Sequence, residues 1–304
     1  MELLEVLDLQ TLGDARVTVD GVDGDAETDL GESTATVFVG QSQKQAHGRV
    51  FGGQVLAQSV VAAGRTVESL GDTPRVLHSL HGYFVRPGDD RHPIRFAVER
   101  IRDGRSFSTR RVQAIQYGKP ILSMITSFQD VADGMDHQDL MPEAPGPDEL
   151  ASIADVLGGI DHPTARALSR RRPIDLRHVE PDIFTEPGAE HAARQRVWMR
   201  AIAALPDDPL LHAAVLAYAS DFSLLEPVLR RHGVAWSDRR LRPASLDHAM
   251  WFHRPARADE WILYAQESPS AQGGRGLSLG RMFTQDGRLV ATVAQEGMVR
   301  LKEG

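Results

Sequence analysis

The chain has 304 residues, 41% hydrophobic content, no cysteine and a formal net charge of −8 at pH 7. That length and apolar fraction support one large core or two ordinary ones, and the lack of cysteine excludes disulfides, thiolate-bound metal and a thiol nucleophile. The acidic balance disfavours nucleic acid as a partner, because phosphate backbones need a continuous basic surface, whereas a few local arginines suffice for a small anionic ligand.

At the amino terminus Met1-Glu2-Leu3-Leu4-Glu5 is acidic where a secretory signal is basic. No apolar run approaches the roughly 20 residues that cross a bilayer, so a cytoplasmic location without stable membrane insertion is expected. Asp20 to Glu32 holds six acidic residues. A calcium loop starting at Asp23 would put Thr28 where glycine is needed and Thr34 where a bidentate glutamate is needed, so a solvated acidic insertion at about 20–33 is the better reading.

Thr34 to Gly40 then reads as a short strand. Gly52 to Thr66 follows as a helix, with Val55, Leu56, Ser59, Val60 and Ala63 at helical spacing. Stretches rich in Val, Ile, Phe and Thr predict strands at 79–86, 93–102, 107–116 and 120–129, with a hairpin turn at Gln116-Tyr117-Gly118-Lys119. From about Asp130 to Arg172 the composition is that of a linker. It carries Pro142, Pro145 and Pro147 among acidic residues, a possible short helix at Glu149 to Leu157 and the run Arg170-Arg171-Arg172, and a connecting role is all that is expected of it. Gln195 to Ala201 predicts another strand and Leu211 to Leu229 another long helix, with Ala214, Ala217, Tyr218, Phe222 and Leu225 on one stripe. Strands at 246–254, 261–268, 275–284 and 288–299 close the chain, the last two joined by a turn at Gln285-Asp286-Gly287-Arg288.

This order of elements occurs twice. At a separation of 168 residues, Tyr83-Phe84-Val85-Arg86-Pro87 falls on Trp251-Phe252-His253-Arg254-Pro255, and Glu99 falls on Glu267. After a two-residue slip Gly104-Arg105 matches Gly274-Arg275, and Gly118-Lys119 then matches Gly287-Arg288. The period is too long for a solenoid, so an α+β fold of two tandem halves is expected, each a long central helix wrapped by an antiparallel sheet. The halves are 1–130 and 173–304, with 131–172 as the linker.

Several catalytic templates fail. No G-x-S-x-G elbow occurs, and Gly274-Arg275-Gly276 lacks the third glycine of a dinucleotide fingerprint because position 279 is leucine. His178, Glu180 and Asp182 alternate as metal ligands can, but no second cluster completes a coordination shell, so a strand end is preferred and neither metal nor cofactor is expected. Polar residues at apolar positions are more informative. Asp221 lies on the apolar stripe of the second helix and Gln295 interrupts the face Ala291, Val293 of the last strand. Ser245 begins the strand Ser245-Leu246-Asp247-His248. A buried aspartate must be hydrogen-bonded or have a raised pKa, and both conditions are typical of a catalytic carboxylate. For Asp221 or Gln295 alone, capping or satisfaction of a buried backbone group explains the residue equally well. The first copy carries Gly53, Leu77 and Thr126 at the equivalent positions, so only the second half has the whole set.

Arg49-Val50-Phe51-Gly52-Gly53-Gln54, His78 to Gly88, Tyr218-Ala219-Ser220-Asp221, Leu246 to Pro255 and Gln295-Glu296-Gly297 together resemble the bacterial acyl-CoA thioesterase II family, from about Thr34 to Arg300. The resemblance implies a double hotdog fold. It also implies hydrolysis of fatty acyl-CoA to free fatty acid and CoA with no metal and no covalent intermediate, and it places the catalytic aspartate, serine or threonine, and glutamine on Asp221, Ser245 and Gln295. A homo-oligomer, dimer or tetramer, is expected. Gly52 and Gly53 have two readings, close approach to the acyl chain as substrate-binding residues or tight helix packing, with packing favoured. Arg86 and Arg254 are read as strand-end residues in preference to CoA phosphate ligands. Asp207 and His212 resemble the D-x4-H pair of hotdog enoyl-CoA hydratases, although Asp208-Pro209 also suits a helix start. A non-catalytic acyl-CoA-binding protein is the third class, for which an appended regulatory domain would be the sign, and none is visible.

Overall fold

The computed structural model describes residues 2–17, 33–45, 47–68, 74–160 and 173–302. The acidic insertion and Arg170-Arg171-Arg172 lie outside them. The strands in chain order are β1 (Gln10–Val17), β2 (Ser33–Gly40), β3 (Arg75–Phe84), β4 (Ile94–Asp103), β5 (Phe107–Gln116), β6 (Lys119–Asp130), β7 (Ile174–His178), β8 (Arg194–Ala201), β9 (Leu241–Ser245), β10 (Asp247–Phe252), β11 (Ile262–Gln272), β12 (Arg275–Thr284) and β13 (Leu289–Leu301). They form one sheet in the order β1-β2-β4-β5-β6-β3-β10-β13-β12-β11-β8-β7, with β9 paired to β13. At its middle β3 and β10 pair antiparallel, from Tyr83 opposite Asp247 to Ser79 opposite Trp251. Outward from that join the order is β3-β6-β5-β4-β2 one way and β10-β13-β12-β11-β8 the other, which is the repeat of the sequence laid out in space.

The ladder of β11 on β12 shifts between Glu267 and Ser270 and that of β4 on β5 between Arg100 and Arg102, one extra residue in each half absorbed as a bulge. Glu99 pairs with Arg111 and Glu267 with Leu279, so the separation of 168 resumes on the far strand and the two-residue slip between the copies is confined to the turn region. Tyr117 and Gly118 form a two-residue turn with φ of 51° and 70°, as a type I′ turn requires. The glycine-rich stretch tested as a nucleotide motif is another such turn, Gly273-Gly274, with φ of 61° and 75°.

Among the described residues five α-helices accompany the sheet: α1 (Glu2–Leu7), α2 (Gly52–Gly64), α3 (Ile153–Gly158), α4 (Pro209–Ser220) and α5 (Glu226–Arg231). Helix α2 is buried on all sides from Gly53 to Ala63, between β4, β5 and β6 of its own half and α4 of the other. Small side chains make that approach possible: a Cβ on Gly53 would lie 2.3 Å from the carbonyl oxygen of Tyr218. The expected helix from Leu211 to Leu229 is instead broken between α4 and α5. The carbonyls at the break find side chains, with Tyr264 Oη donating to Ser220 O at 3.3 Å and Gln195 Nε2 to Ser223 O at 3.2 Å, and Pro227 stands in the first turn of α5, where a missing N–H costs no helical bond. The break makes Asp221 the C-cap of α4 instead of a mid-helix residue.

The linker does more than connect. Met141, Ala144 and Leu150 pack on a cluster of Trp198, Trp261, Leu263, Phe283 and Leu289. Polar bonds pin the same segment, from Gln138 Nε2 to Gly287 O at 2.8 Å and from Trp198 Nε1 to Pro145 O at 2.9 Å. The strap therefore covers the outer face of the second half's sheet, and its short helix begins at Ser152, whose side chain accepts from Ala154 N.

Candidate active site

Two helix ends meet at Asp221. It stands at the carboxyl end of α4, where the helix dipole opposes a negative charge, and faces the amino end of α2, where it favours one. Phe51, the N-cap residue of α2, has no capping side chain. Asp221 supplies one from the other half, accepting a hydrogen bond from Gly53 N at 2.8 Å on Oδ2. Phe51 stacks on Phe222 at 4.6 Å and meets Tyr218 edge-on at 5.2 Å, fixing the approach. A Cβ on Gly52 would lie 2.7 Å from Asp221 Oδ2, so both glycines are explained by the packing of α2 against Asp221 and α4.

The other carboxylate oxygen faces the sheet. Gln295 Nε2 donates to Asp221 Oδ1 at 3.1 Å and to Ser245 Oγ at 2.6 Å, and Ser245 Oγ is 3.5 Å from the same Oδ1. The three expected residues are thus together, brought by the end of α4, the end of β9 and the middle of β13. Ser245 closes β9 instead of opening the next strand, and Leu246 intervenes before β10. Although Asp221 keeps a partly exposed edge, desolvation pushes its pKa up to about 6 against the pull of Gln295, Gly53 and Ser245. At neutral pH it is predominantly ionised and close enough to its pKa to accept a proton readily.

One residue missed by the sequence reading, His248, supports this set. His248 is fully buried on β10, with Nδ1 3.0 Å from Gln295 Oε1 and Nε2 2.9 Å from Ser220 Oγ. Its burial lowers the imidazole pKa to about 4, so it is neutral. The criterion that exposed Gln295, a polar side chain on an inward strand position, applies equally to His248 between Leu246 and Met250.

The remaining candidates are occupied elsewhere. His212 Nδ1 accepts from Ala258 N at 3.1 Å, Asp207 is exposed beside Arg257, and Asp208 caps α4 by accepting from Leu210 N at 2.9 Å, so the hydratase pair is not assembled. His178 pairs with Glu226, Glu180 with Arg196 and Asp182 with Phe184 N. Among the described residues no group of three His, Asp or Glu is placed to hold a metal ion, and no helix is long and apolar enough to cross a membrane. Arg86 and Arg254 do the same job in each half, donating at 2.9 Å to Pro120 O and Leu289 O respectively.

The large antiparallel sheet places the chain among hotdog proteins. A solved hotdog protein from Alicyclobacillus acidocaldarius covers 100% of this chain and 99% of its own at a TM-score of 0.74, with 18% identity, a likeness of fold alone. Sequence comparison goes further. Residues 41–129 match the family model for the acyl-CoA thioesterase N-terminal domain and residues 169–298 that for acyl-CoA thioesterase. Acyl-CoA thioesterase 2 of Haemophilus influenzae is 37% identical over 88% of this chain and 93% of that protein, and human acyl-coenzyme A thioesterase 8 is 41% identical over 84% and 81%. The crystal structure of an acyl-CoA thioesterase II from Mycobacterium marinum covers 100% of this chain and 99% of its own, with 42% identity and a TM-score of 0.75. The chain belongs to the acyl-CoA thioesterase II family and is an acyl-CoA thioester hydrolase.

Proposed function

We propose that the chain is a double hotdog thioesterase that cleaves fatty acyl-CoA to free fatty acid and CoA at a single site built from Asp221, Ser245 and Gln295. The observation that carries this reading is the convergence of three hydrogen-bond donors from three separate elements on one ionisable carboxylate. Asp221 accepts a proton from a water molecule held beside Ser245, Gln295 fixing both side chains through its amide, and the water oxygen attacks the thioester carbonyl. The tetrahedral intermediate then collapses, re-forming the carbonyl and expelling the CoA thiolate, which is a good leaving group and requires no strong acid. Both amide hydrogens of Gln295 are engaged with Asp221 and Ser245, which favours the start of α2 as the source of donors to the oxyanion. The halves 1–130 and 173–304, the linker 131–172, a homo-oligomeric assembly and a cytoplasmic location belong to the same proposal. The internal repeat and strand order support the halves, and the chain composition supports the location.

Thiol release measured across short to long acyl-CoA substrates tests the activity and its range. Ser245→Ala and Gln295→Ala are expected to lower kcat, and together by less than the product of their separate losses, because they share one water. Fully multiplicative losses would give the two residues separate tasks.

A further inference from the structure

We infer that His248 is a positioning residue for this hydrolysis: held in one tautomer by Ser220, it locks the Gln295 amide with its nitrogen toward Asp221 and Ser245. The inference rests on the proposed roles of Asp221 and Gln295. An amide side chain fits its pocket equally well in two orientations, and only its neighbours decide between them. Were Gln295 reversed, its carbonyl oxygen would lie 3.1 Å from the Asp221 carboxylate oxygen, an acceptor facing an acceptor while Asp221 is ionised. The observed orientation leaves Gln295 Oε1 facing His248 Nδ1 at 3.0 Å, which is favourable only if that nitrogen carries the proton.

With Nδ1 protonated and the ring neutral, Nε2 is a bare acceptor. Ser220 Oγ, 2.9 Å away, must then turn its proton to the ring and not to Ala217 O at 2.8 Å. Protons therefore run in one direction, from Ser220 to His248, from His248 to Gln295, and from Gln295 to Asp221 and Ser245. The hydrogen bonds of His248 go to Ser220 and Gln295 and not to Asp221 or Ser245, and its effect on the reaction passes through the orientation of Gln295. The chain is also built into the break between the helices, since Ser220 is the last residue of α4 and Asp221 its cap.

The experiment combines a spectrum with a mutant cycle. Long-range ¹⁵N–¹H spectra of the intact protein with labelled histidine, at pH 8, are expected to show His248 with its proton on Nδ1; a proton on Nε2 overturns the inference, and this reading needs no variant to fold. In thiol-release kinetics, His248→Leu is expected to lower kcat by roughly 10²-fold, the scale of a misplaced catalytic group, with KM changed only a fewfold. His248→Asn, whose amide nitrogen takes the place of Nδ1, is expected to restore most of that loss, and in a Gln295→Ala background His248→Leu is expected to cost nothing further. Equal kcat losses in the Leu and Asn variants, or losses that multiply with Gln295→Ala, would leave His248 a packing residue. If Gln295→Ala lowers kcat but His248→Leu does not, the inference alone fails; if Gln295→Ala leaves kcat unchanged, the reading of the site fails and takes the inference with it.

Discussion

Gly53 and Asp221 hold equivalent positions in the two copies of the repeat, and in the folded chain they touch each other. One copy offers a bare backbone N–H at the start of its helix, while the other has broken its helix and turned a carboxylate toward that N–H. At the position equivalent to Gln295 the first half has Thr126, buried and 3.5 Å from Arg110 O. Where the second half has Ser245 the first has Leu77, also buried. The first half has therefore not simply lost a site: it supplies a donor that holds Asp221, the proposed base, in the second. A duplicated fold can divide one task between its copies at the point where they meet.

The sharpest way to break this comparison is to remove the base. Asp221→Asn should fold and lose about 10² to 10⁴ in kcat, the usual contribution of a general base, and a rate within a fewfold of wild type would show that the first half or another group can activate water. The raised pKa gives a second readout. Since only the ionised carboxylate accepts a proton, wild-type kcat should fall as pH drops through about 6, and that inflection should vanish in the variant.

Gly53→Ala tests the contact from the other side. Its Cβ would press on the Tyr218 carbonyl, so α2 and α4 must separate, at a cost of about 1–3 kcal/mol for overpacking, read as a lowered Tm together with lost activity. Gly52→Ala meets the Asp221 carboxylate and the Phe84 ring instead, side chains that can give way. It should spare Tm more than Gly53→Ala does while still lowering kcat.

The division of labour also sets a stoichiometry. Titration of the Asp221→Asn protein with a non-hydrolysed acyl-CoA analogue should give one tight site per chain by calorimetry, and two equivalent sites would mean that the halves are functionally alike. The smallest effect is expected from deleting Asp20 to Glu32. Val17 pairs with Ser33 across β1 and β2, so Thr18 and Val19 can close the hairpin, and activity and Tm should be nearly unchanged. A marked drop in either would give the acidic segment a role.

The repeat, ten of the described strands, and Asp221 and Gln295 were legible because each leaves a local mark: period-2 apolar alternation, turn glycines, and polar groups at apolar positions. β1, β7 and β9 were not expected, and Ser245 was picked out by the family resemblance. The break after Ser220 was not legible, because Ala214 to Leu225 keeps a helical apolar stripe through it. At the break the carbonyls of Ser220 and Ser223 are taken by Tyr264 and Gln195, whose hydrogen bonds come from distant strands. The strap from Met141 to Leu150 was hidden for a related reason. Proline-rich composition signals the absence of regular structure, but it carries no record of the apolar cluster on β8, β11 and β12 that the segment covers. The purpose of Gly52 and Gly53 needed the partner helix in view, since a glycine in sequence does not name the atom that would collide with its side chain.

The pairing of β3 with β10 makes the molecule mechanically continuous where its chemistry is most exacting. Hydrogen bonds lose strength within a few tenths of an ångström, so a base held from both sides of a seam registers any slippage along it. Five successive residue pairs, from Asp247 with Tyr83 to Trp251 with Ser79, resist that slippage. The join between the halves is thus part of the support of Asp221, and outward positions on it such as His81 and Ala249, which pair across the seam, bear on the geometry of a site they do not enter.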